Sequence, residues 1–316
     1  MKQQMANPRD AYGQALVQIG KKNESIVVLD ADLSKSTKTI LFAKQFPNRF
    51  FEMGIAEANM ISTAAGLASC GKIPFASTFA VFATGRVYDQ IRMDVAYSNH
   101  NVKIFATHGG ISVGKDGASH QMIEDIALMR VLPNMKVFAP SDALQTQRVV
   151  ELMAFEEGPM YSRIGRESSP ILYSQEDTIH MKIGKGIIVC DGDDATLIAC
   201  GTMVSQCIEA SKKLKKEGIY VRVLDMFCIK PLDQKLILRC SKDTQAILTV
   251  EEHSIIGGLG SAVAEVLLEN GYTGKFKRIG IQDMFCESGE PEHLFNKYGL
   301  SVQHIIKNVK TLLKKE

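Results

Sequence analysis

Val102-Lys103-Ile104-Phe105-Ala106-Thr107-His108-Gly109-Gly110 runs from a predicted β-strand directly into a glycine-rich loop. An apolar run of this kind is typical of a strand covered on both faces by helices, as in a parallel sheet. Residues 26–29 form a similar apolar run that ends at Asp30. Further strands are predicted at 136–139 and 160–163, and helices at 56–69, 123–132 and 142–155. This alternation of strands and helices predicts an α/β fold with a mostly parallel sheet.

A second α/β pattern follows a break in the periodicity. Residues 167–185 are rich in Ser, Pro, Gln and Asp and separate the two patterns. Strands are predicted at 186–190, 195–200, 219–224 and 245–250, and residues 302–313 form an amphipathic helical pattern. We therefore expect two domains, residues 1–175 and 185–316, each a mostly parallel sheet flanked by helices.

The composition argues against several classes of protein. The chain of 316 residues is 45% hydrophobic, which allows two cores of ordinary size. Its 37 basic and 35 acidic residues leave a net charge of +2, too small for the positive field of nucleic-acid-binding proteins. The 7 cysteines contain no CxxC pair, which indicates reduced thiols. No secretory signal and no apolar run of about 20 residues is visible. We expect a cytoplasmic protein that binds neither nucleic acid nor membranes.

A single carboxylate lies within an apolar, small-residue segment, Met53-Gly54-Ile55-Ala56-Glu57-Ala58-Asn59-Met60-Ile61. A surface helix would carry more charge, so we expect Glu57 to be buried. Because an unpartnered buried carboxylate is costly, Glu57 needs a hydrogen-bonding ligand or a proton, and either would suit proton transfer. The alternative is a glutamate at the positive end of a helix dipole. The segment alone favours neither interpretation.

The glycine loop, residues 107–121, reads Thr107-His108-Gly109-Gly110-Ile111-Ser112-Val113-Gly114-Lys115-Asp116-Gly117-Ala118-Ser119-His120-Gln121. Ligands of open α/β sheets bind at the carboxyl ends of strands, where this loop begins. Glycines let the backbone approach a ligand, and histidines and an aspartate can bind phosphate and hydroxyl groups. We rank a substrate-binding loop first and a structural loop second. A His-Asp-His metal site ranks third because it needs a further ligand.

Two aromatic residues and one further glycine cluster have competing interpretations. Phe79 and Phe82 follow the predicted turn Gly71-Lys72-Ile73-Pro74. One ring could stack on a planar ligand, although packing in the core is the more common role. Gly257-Gly258-Leu259-Gly260 looks like a phosphate loop, but Val263 occupies the place of the third glycine of the dinucleotide motif. We interpret it as a tight turn from a strand into a helix.

Several ordered segments together resemble the pyrimidine-binding domain of transketolases. They are Gly54-Ile55-Ala56-Glu57-Ala58-Asn59-Met60, Ser77-Thr78-Phe79, Arg86-Val87-Tyr88-Asp89-Gln90-Ile91-Arg92, Asp116-Gly117-Ala118-Ser119-His120-Gln121 and Leu132-Pro133-Asn134. The segments that resemble the family's C-terminal domain are Asp225-Met226-Phe227-Cys228-Ile229-Lys230-Pro231-Leu232-Asp233, Glu251-Glu252-His253 and Glu287-Ser288-Gly289-Glu290-Pro291. The resemblance spans nearly the whole chain. It implies a thiamine-diphosphate enzyme that transfers a two-carbon ketol unit between sugar phosphates.

The resemblance also implies roles for individual residues. Glu57 matches the catalytic glutamate that bonds the cofactor's pyrimidine ring and favours the imino tautomer, which removes the thiazolium proton. Phe79 and Phe82 match aromatic residues of the pyrimidine pocket, and His120 matches a catalytic histidine near the cofactor and the substrate. Positions that resemble substrate-binding residues are Arg9, Asp32, Ser36, His108, Asp116 and Arg166. An arginine fork suits phosphate oxygens.

Three positions depart from the family pattern. Gly109 stands where many members have Asp, Lys115 replaces a common acidic residue, and Gly85 occupies a position that is aromatic in several members. These departures leave the implied cofactor chemistry unchanged and leave the sugar preference open.

Full-length members of the family begin with another domain, whose Gly-Asp-Gly segment and later Asn bind Mg²⁺ and the diphosphate. No such motif occurs here, since Asp191-Gly192-Asp193 has the wrong order and lies in the second predicted domain. A cation that bridges phosphates needs oxygen ligands. We therefore expect no metal ligands in this chain and a separate N-terminal subunit that provides them. The expected assembly is a heterotetramer, a dimer of such heterodimers.

Three alternatives stay open. The beta subunit of a 2-oxoacid dehydrogenase E1 component has a similar length and domain order, but the glycine loop argues against it. Deoxyxylulose-phosphate synthase has a loop of the same kind and suits Arg86-Val87-Tyr88-Asp89-Gln90 as well, although its members are usually one chain. A non-catalytic binding or regulatory subunit would retain the fold alone.

Overall fold

The computed structural model describes residues 4–314. Its strands are β1 (Met5–Ala6), β2 (Ile26–Asp30), β3 (Phe50–Glu52), β4 (Ile73–Phe79), β5 (Lys103–Thr107), β6 (Lys136–Phe138), β7 (Met160–Arg163), β8 (Ser169–Pro170), β9 (Ile187–Cys190), β10 (Ala195–Ala199), β11 (Val221–Asp225), β12 (Cys228–Lys230), β13 (Ala246–Ser254) and β14 (Lys275–Ile281). Its α-helices are α1 (Pro8–Lys22), α2 (Ser34–Thr37), α3 (Ile40–Gln45), α4 (Glu57–Ser69), α5 (Ala80–Thr84), α6 (Tyr88–Gln90), α7 (Asp125–Val131), α8 (Ala143–Phe155), α9 (Gln175–Ile179), α10 (Met203–Lys215), α11 (Gln234–Asp243), α12 (Leu259–Glu269), α13 (Pro291–Lys297) and α14 (Val302–Leu313). Short 3₁₀ helices lie at Pro47–Arg49 and Ile111–Asp116, and a π-helical segment lies at Ile91–Tyr97.

The first sheet has the strand order β12-β6-β7-β5-β4-β2-β3. Its neighbouring strands run parallel, except for the antiparallel pair β12 and β6. All five residues of β2 and all five of β5 are buried, as expected for strands covered on both faces. The edge strand β12 comes from the second half of the chain, so the two halves share this sheet.

The second sheet has the order β14-β13-β10-β11-β9. It is parallel apart from β9, which pairs antiparallel with β11. The predicted α/β fold with two mostly parallel sheets is therefore confirmed. The connecting residues 167–185 are not structureless, because β8 pairs with β1 and α9 lies beside α8. The exact domain limits, 1–175 and 185–316, stay a prediction.

Strand β4 was not predicted. The sequence predicts a turn at residues 71–74, but β4 begins at Ile73 and lies between β2 and β5 in the sheet. Proline cannot donate a ladder hydrogen bond and is rare in central strands. Pro74 is tolerated here as the second residue of the strand, and Ile73 before it donates to Ser25 O.

Helix α1 is fixed to the first sheet by an aromatic contact. Asn7 caps this helix by accepting from the Arg9 N–H, and Pro8 is its first residue, as the sequence predicts. The Tyr12 ring stacks on Phe105 of β5 with centroids 3.9 Å apart, and its hydroxyl bonds Ser77 of β4. These contacts place the start of α1 near the carboxyl ends of β4 and β5.

A buried aspartate organises the carboxyl end of β2. Asp30 accepts hydrogen bonds from the Leu33 N–H and from the hydroxyls of Thr37 and Thr39. Burial raises the pKa of Asp30 to about 6, against the opposing effect of these three donors. The network shapes the segment from Asp30 to Thr39, which includes α2.

Two further expectations concern glycines and membrane helices. The glycines at 257–260 form a turn from β13 into α12, where the Glu251 carboxylate accepts from the N–H groups of Leu259 and Gly260. A protein carboxylate therefore occupies the helix terminus, which confirms a turn rather than a phosphate loop.

Within residues 4–314, the structure has no helix with the length and apolar character that a bilayer span requires.

Candidate active site

Glu57 is the first residue of α4 and is only 4% exposed. Burial and a helix start were treated as competing interpretations of the sequence, and the structure shows both together. Because Glu57 is in the first turn of α4, its carboxylate lies at the positive end of the helix dipole, where Ala56 provides no side-chain cap. This placement stabilises the charged carboxylate that burial penalises.

Arg86 is the ion-pair partner of Glu57. Its Nη1 donates to Glu57 Oε1 at 2.7 Å. The Arg86 guanidinium also lies over the Phe82 ring, 4.2 Å from the centroid. Arg86 itself is half exposed, so the ion pair joins a surface side chain to a buried carboxylate. One planar cationic group therefore contacts both a buried carboxylate and an aromatic face.

The predicted aromatic and histidine residues form one cluster. Phe79, at the end of β4, stacks on Phe82 of α5 with centroids 6.0 Å apart. The His108 ring stacks on the other side of the cluster, 3.7 Å from the Phe79 centroid. His120 meets Phe82 edge-on at 5.5 Å. Residues far apart in the chain thus meet at the carboxyl ends of β4 and β5.

His108 is buried at the start of the glycine loop, with φ at 60°, and its Nδ1 bonds the Thr107 hydroxyl at 2.8 Å. Burial lowers the pKa of His108 from 6.5 to about 3, and the positive charges of Arg9 and Arg166 act in the same direction. The imidazole is therefore neutral near pH 7, and it can bind a ligand by hydrogen bonding but not as a cation.

The neutral state of His108 can be measured. We expect its imidazole chemical shifts in NMR spectra to stay constant between about pH 5 and 8, because a pKa of about 3 places protonation below this range. A His108→Gln sample identifies the signal. A titration midpoint near the ordinary histidine value of 6.5 would contradict the assignment.

Two arginines lie beside the cluster. Arg9 Nη1 donates to the Ser36 carbonyl at 3.2 Å, and Arg166 Nη1 donates to Val113 O at 2.9 Å. Burial lowers the pKa of Arg9, and the nearby charge of Arg166 lowers it further. Asp116 approaches Arg166 at 3.4 Å. Two neighbouring guanidinium groups that repel one another are donors of the kind that suits a phosphate anion.

Among the residues predicted to bind substrate, Asp32 makes no side-chain contact with this cluster in the described part of the chain. It lies after β2 with φ at 61°, and its backbone N–H donates to Glu52. Over residues 4–314, its exposed side chain forms no hydrogen bond or ion pair. The structure therefore places Asp32 at the same sheet edge without connecting it to the other predicted residues.

The three departures from the family pattern have different surroundings. At Gly109, a Cβ would lie 2.7 Å from Arg163 Nε, so the buried arginine requires a glycine there. Lys115 is exposed and pairs with Glu290 at 2.7 Å. Gly85 has more space, since the nearest atom to its Cβ would be Val81 O at 3.3 Å.

Three residues of the candidate site, Arg86, Arg163 and Glu252, are not predicted from the sequence. Arg86 appeared only within a motif, because nothing in the sequence signals an ion pair over 29 positions. Arg163 and Glu252 are both buried where the glycine loop meets β13. The acidic end of an otherwise apolar strand, Glu251-Glu252-His253, was the available signal for Glu252. Among the described residues, no group of three or more His, Cys, Asp or Glu could hold a metal ion.

Two family models match successive parts of this chain. Residues 4–170 match the family described as transketolase, pyrimidine binding domain, and residues 184–305 match transketolase, C-terminal domain. This chain belongs to the transketolase family. The family assignment made from the sequence segments is therefore confirmed.

Relatives within the transketolase family differ in length. A Methanocaldococcus jannaschii protein, provisionally named a transketolase C-terminal section, is 52% identical, and the match covers 98% of this chain and 96% of that protein. Rat transketolase is 41% identical over 97% of this chain but only 49% of its own length. This transketolase-family chain thus spans about half of the rat enzyme.

A solved structure described as "Split gene transketolase, inactive beta4 tetramer" superposes on this chain with a TM-score of 0.90. It is 52% identical, and the match covers 98% of both chains. Transketolase from Leishmania mexicana gives a TM-score of 0.81 at 26% identity over 98% of this chain and 46% of its own. Both comparisons agree with the transketolase fold.

Proposed function

We propose that this chain is the C-terminal subunit of a thiamine-diphosphate-dependent transketolase, active only together with an N-terminal subunit. The enzyme would transfer a two-carbon ketol unit between sugar phosphates. The observation that supports this proposal is the buried Glu57 carboxylate, which Arg86 connects to the Phe82 ring in the cluster that also contains His108 and His120.

The residues around Glu57 fit an aminopyrimidine ring. Such a ring needs an aromatic face to stack on and a carboxylate to bond a ring nitrogen. The planar Arg86 guanidinium makes both kinds of contact, with Phe82 and with Glu57. Glu57, Phe79 and Phe82 would therefore hold the ring once Arg86 moves aside. When bound, thiamine diphosphate supplies the nucleophilic carbon that accepts the ketol unit.

Each predicted residue receives a specific task in this proposal. Glu57 holds or releases a proton at the pyrimidine nitrogen. His120, half-buried at the rim, exchanges protons with the sugar. Arg9 and Arg166 bind the sugar's phosphate. The groups proposed to contact sugar hydroxyls or orient the sugar phosphate are His108 as a neutral imidazole, Ser36, Asp116 and Asp32.

We propose that the N-terminal subunit holds Mg²⁺ and the cofactor's diphosphate. The relatives support this division, because this chain corresponds to about half of rat transketolase and to nearly all of a C-terminal section. Exposed apolar side chains beside α4 provide a surface for another chain, since Ile55 just before this helix is 77% exposed and Tyr97, on the π-helical segment that packs against it, is 78% exposed. A dimer of heterodimers, the domain limits given above and a cytoplasmic location belong to the same proposal.

The proposal is tested by product analysis with both subunits, Mg²⁺ and thiamine diphosphate present. With xylulose 5-phosphate and ribose 5-phosphate, we expect a seven-carbon ketose phosphate and a three-carbon aldose phosphate. Carbon dioxide release from pyruvate without ketol transfer would instead favour a 2-oxoacid dehydrogenase subunit. With pyruvate and glyceraldehyde 3-phosphate as substrates, formation of deoxyxylulose 5-phosphate and carbon dioxide would favour the synthase. Absence of every product from a correctly assembled complex would favour a non-catalytic subunit.

A further inference from the structure

Glu252, on β13 of the second sheet, reaches the beginning of the glycine loop. The side chain is 4% exposed. Its Oε1 accepts from the Ser112 N–H at 2.6 Å, and its Oε2 accepts from the Thr202 hydroxyl at 2.6 Å. The backbone carbonyl of Glu252 accepts from Arg163 Nη2 at 2.9 Å. A buried carboxylate with two short hydrogen bonds fixes the groups that donate to it.

The loop backbone is shaped to receive this carboxylate. Gly110 has φ at 84°, a conformation that glycine adopts more easily than other residues. A Cβ at this position would lie 2.3 Å from Glu252 Oε1. Gly110 is therefore required both by its backbone angle and by the approach of Glu252.

A second contact holds the tip of the glycine loop. Gln121 Nε2 donates to the Glu287 carbonyl at 3.0 Å, and the Ser288 hydroxyl donates to the Lys115 carbonyl at 2.5 Å. Lys115 also pairs with Glu290. The second half of the chain thus contacts the loop at its buried start and at its exposed tip.

The loop between these two contacts is closed by its own backbone. The Gly117 N–H donates to Gly114 O at 3.1 Å, and the N–H groups of His120 and Gln121 both donate to Gly117 O at 3.0 Å. At the base, the Gly110 N–H donates to Met122 O at 2.8 Å. These backbone hydrogen bonds connect the segment that contains Ser112 to the segment that contains His120.

We propose that Glu252 is a positioning residue that sets the place of the glycine loop, and with it His120 and Asp116, relative to the sugar phosphate. This inference rests on the function proposed above. Glu57, Phe79 and Phe82 lie on α4, β4 and α5, outside the loop. A change at Glu252 should therefore affect sugar recognition much more than binding of the cofactor ring, which the loop meets only through the ring contacts of His108 and His120.

Two substitutions at this position separate geometry from charge. Glu252→Ala removes both acceptors, and we expect KM for the sugar phosphates to rise at least about tenfold, because small displacements of catalytic groups are costly. Glu252→Gln can keep both bonds, since its carbonyl accepts from Ser112 and its amide donates to the Thr202 hydroxyl. We expect Glu252→Gln to retain KM within about threefold of the unchanged protein.

A matched control removes an ion pair elsewhere between the two halves of the chain. Arg130 on α7 donates two hydrogen bonds of 2.7 Å to Glu265 on α12. We expect Glu265→Ala to leave sugar KM unchanged. Thiamine-diphosphate affinity of the assembled enzyme, measured by calorimetry, should stay within about twofold in all three variants, because none touches the predicted pyrimidine pocket.

Hydrogen exchange gives a readout that does not depend on activity. In Glu252→Ala, we expect faster amide exchange over residues 111–121 and unchanged exchange over α4. If this variant does not assemble, Thr202→Val removes one of the two bonds to Glu252, and we expect a KM rise of about threefold.

Unchanged exchange and unchanged KM in Glu252→Ala, or unchanged KM in Thr202→Val where that variant is used, would overturn the inference. Equal losses in Glu252→Ala and Glu265→Ala would do so as well. Failure of the unchanged complex to make ketol-transfer products refutes the proposed function instead, and the exchange result still decides whether Glu252 holds the loop.

Discussion

Glu57→Gln in the assembled enzyme is expected to lower kcat by about two to four orders of magnitude, the usual contribution of a positioned proton-transfer group. Glutamine has the shape of glutamate, and its carbonyl can still accept from Arg86, whose Nη1 lies 2.7 Å from the carboxylate. The fold and the assembly should therefore persist. An amide cannot hold and release a proton at a ring nitrogen, so kcat is expected to fall although the protein assembles normally.

The measurement compares steady-state kinetics of Glu57→Gln with those of Glu24→Gln, an exposed glutamate in the turn before β2. Size-exclusion chromatography confirms that both variants assemble. We expect Glu24→Gln to behave like the unchanged enzyme. If kcat of Glu57→Gln stays within a few-fold of the unchanged enzyme, the Glu57 carboxylate is not a catalytic group.

The chain without its partner subunit is expected to show no turnover and to bind thiamine diphosphate at least about a hundredfold more weakly than the complex. The diphosphate needs a cation with oxygen ligands. Within residues 4–314 the structure has no candidate metal cluster. The ring must also displace Arg86 from Glu57 and Phe82, and that exchange costs an ion pair.

Thiamine without its diphosphate is the matched ligand for this test. The isolated chain should bind thiamine and thiamine diphosphate about equally weakly in calorimetry, because it offers contacts to the ring alone. Addition of the partner subunit should create a strong preference for the diphosphate form. Tight, diphosphate-dependent binding by the isolated chain would disprove the division of the cofactor site between two subunits.

Local sequence patterns predicted most of the fold because they reflect local physics. Residues 26–29 and 104–106 are apolar throughout, and such runs are typical of strands buried on both faces, as β2 and β5 are. The prediction failed at β4, where Pro74 and the preceding Gly71 are typical of a turn. Pairing with β2 and β5 overrides that local preference, and no local pattern records such pairing.

By itself, the sequence determined the two α/β sheets and the family to which the chain belongs, while the burial of Glu57 stayed one of two interpretations until the structure was known. These features depend on residue type and on order along the chain. Only the tertiary structure decided which groups meet: Arg86 with Glu57, His108 with Phe79, and Glu252 with the glycine loop. Ser112 and Glu252 are 140 positions apart, and their contact exists because two sheets pack together. Contacts made by tertiary packing have no fixed separation along the sequence, so the sequence does not predict them. The burial and the neighbouring charges that shift pKa values in the site are therefore known only from the structure.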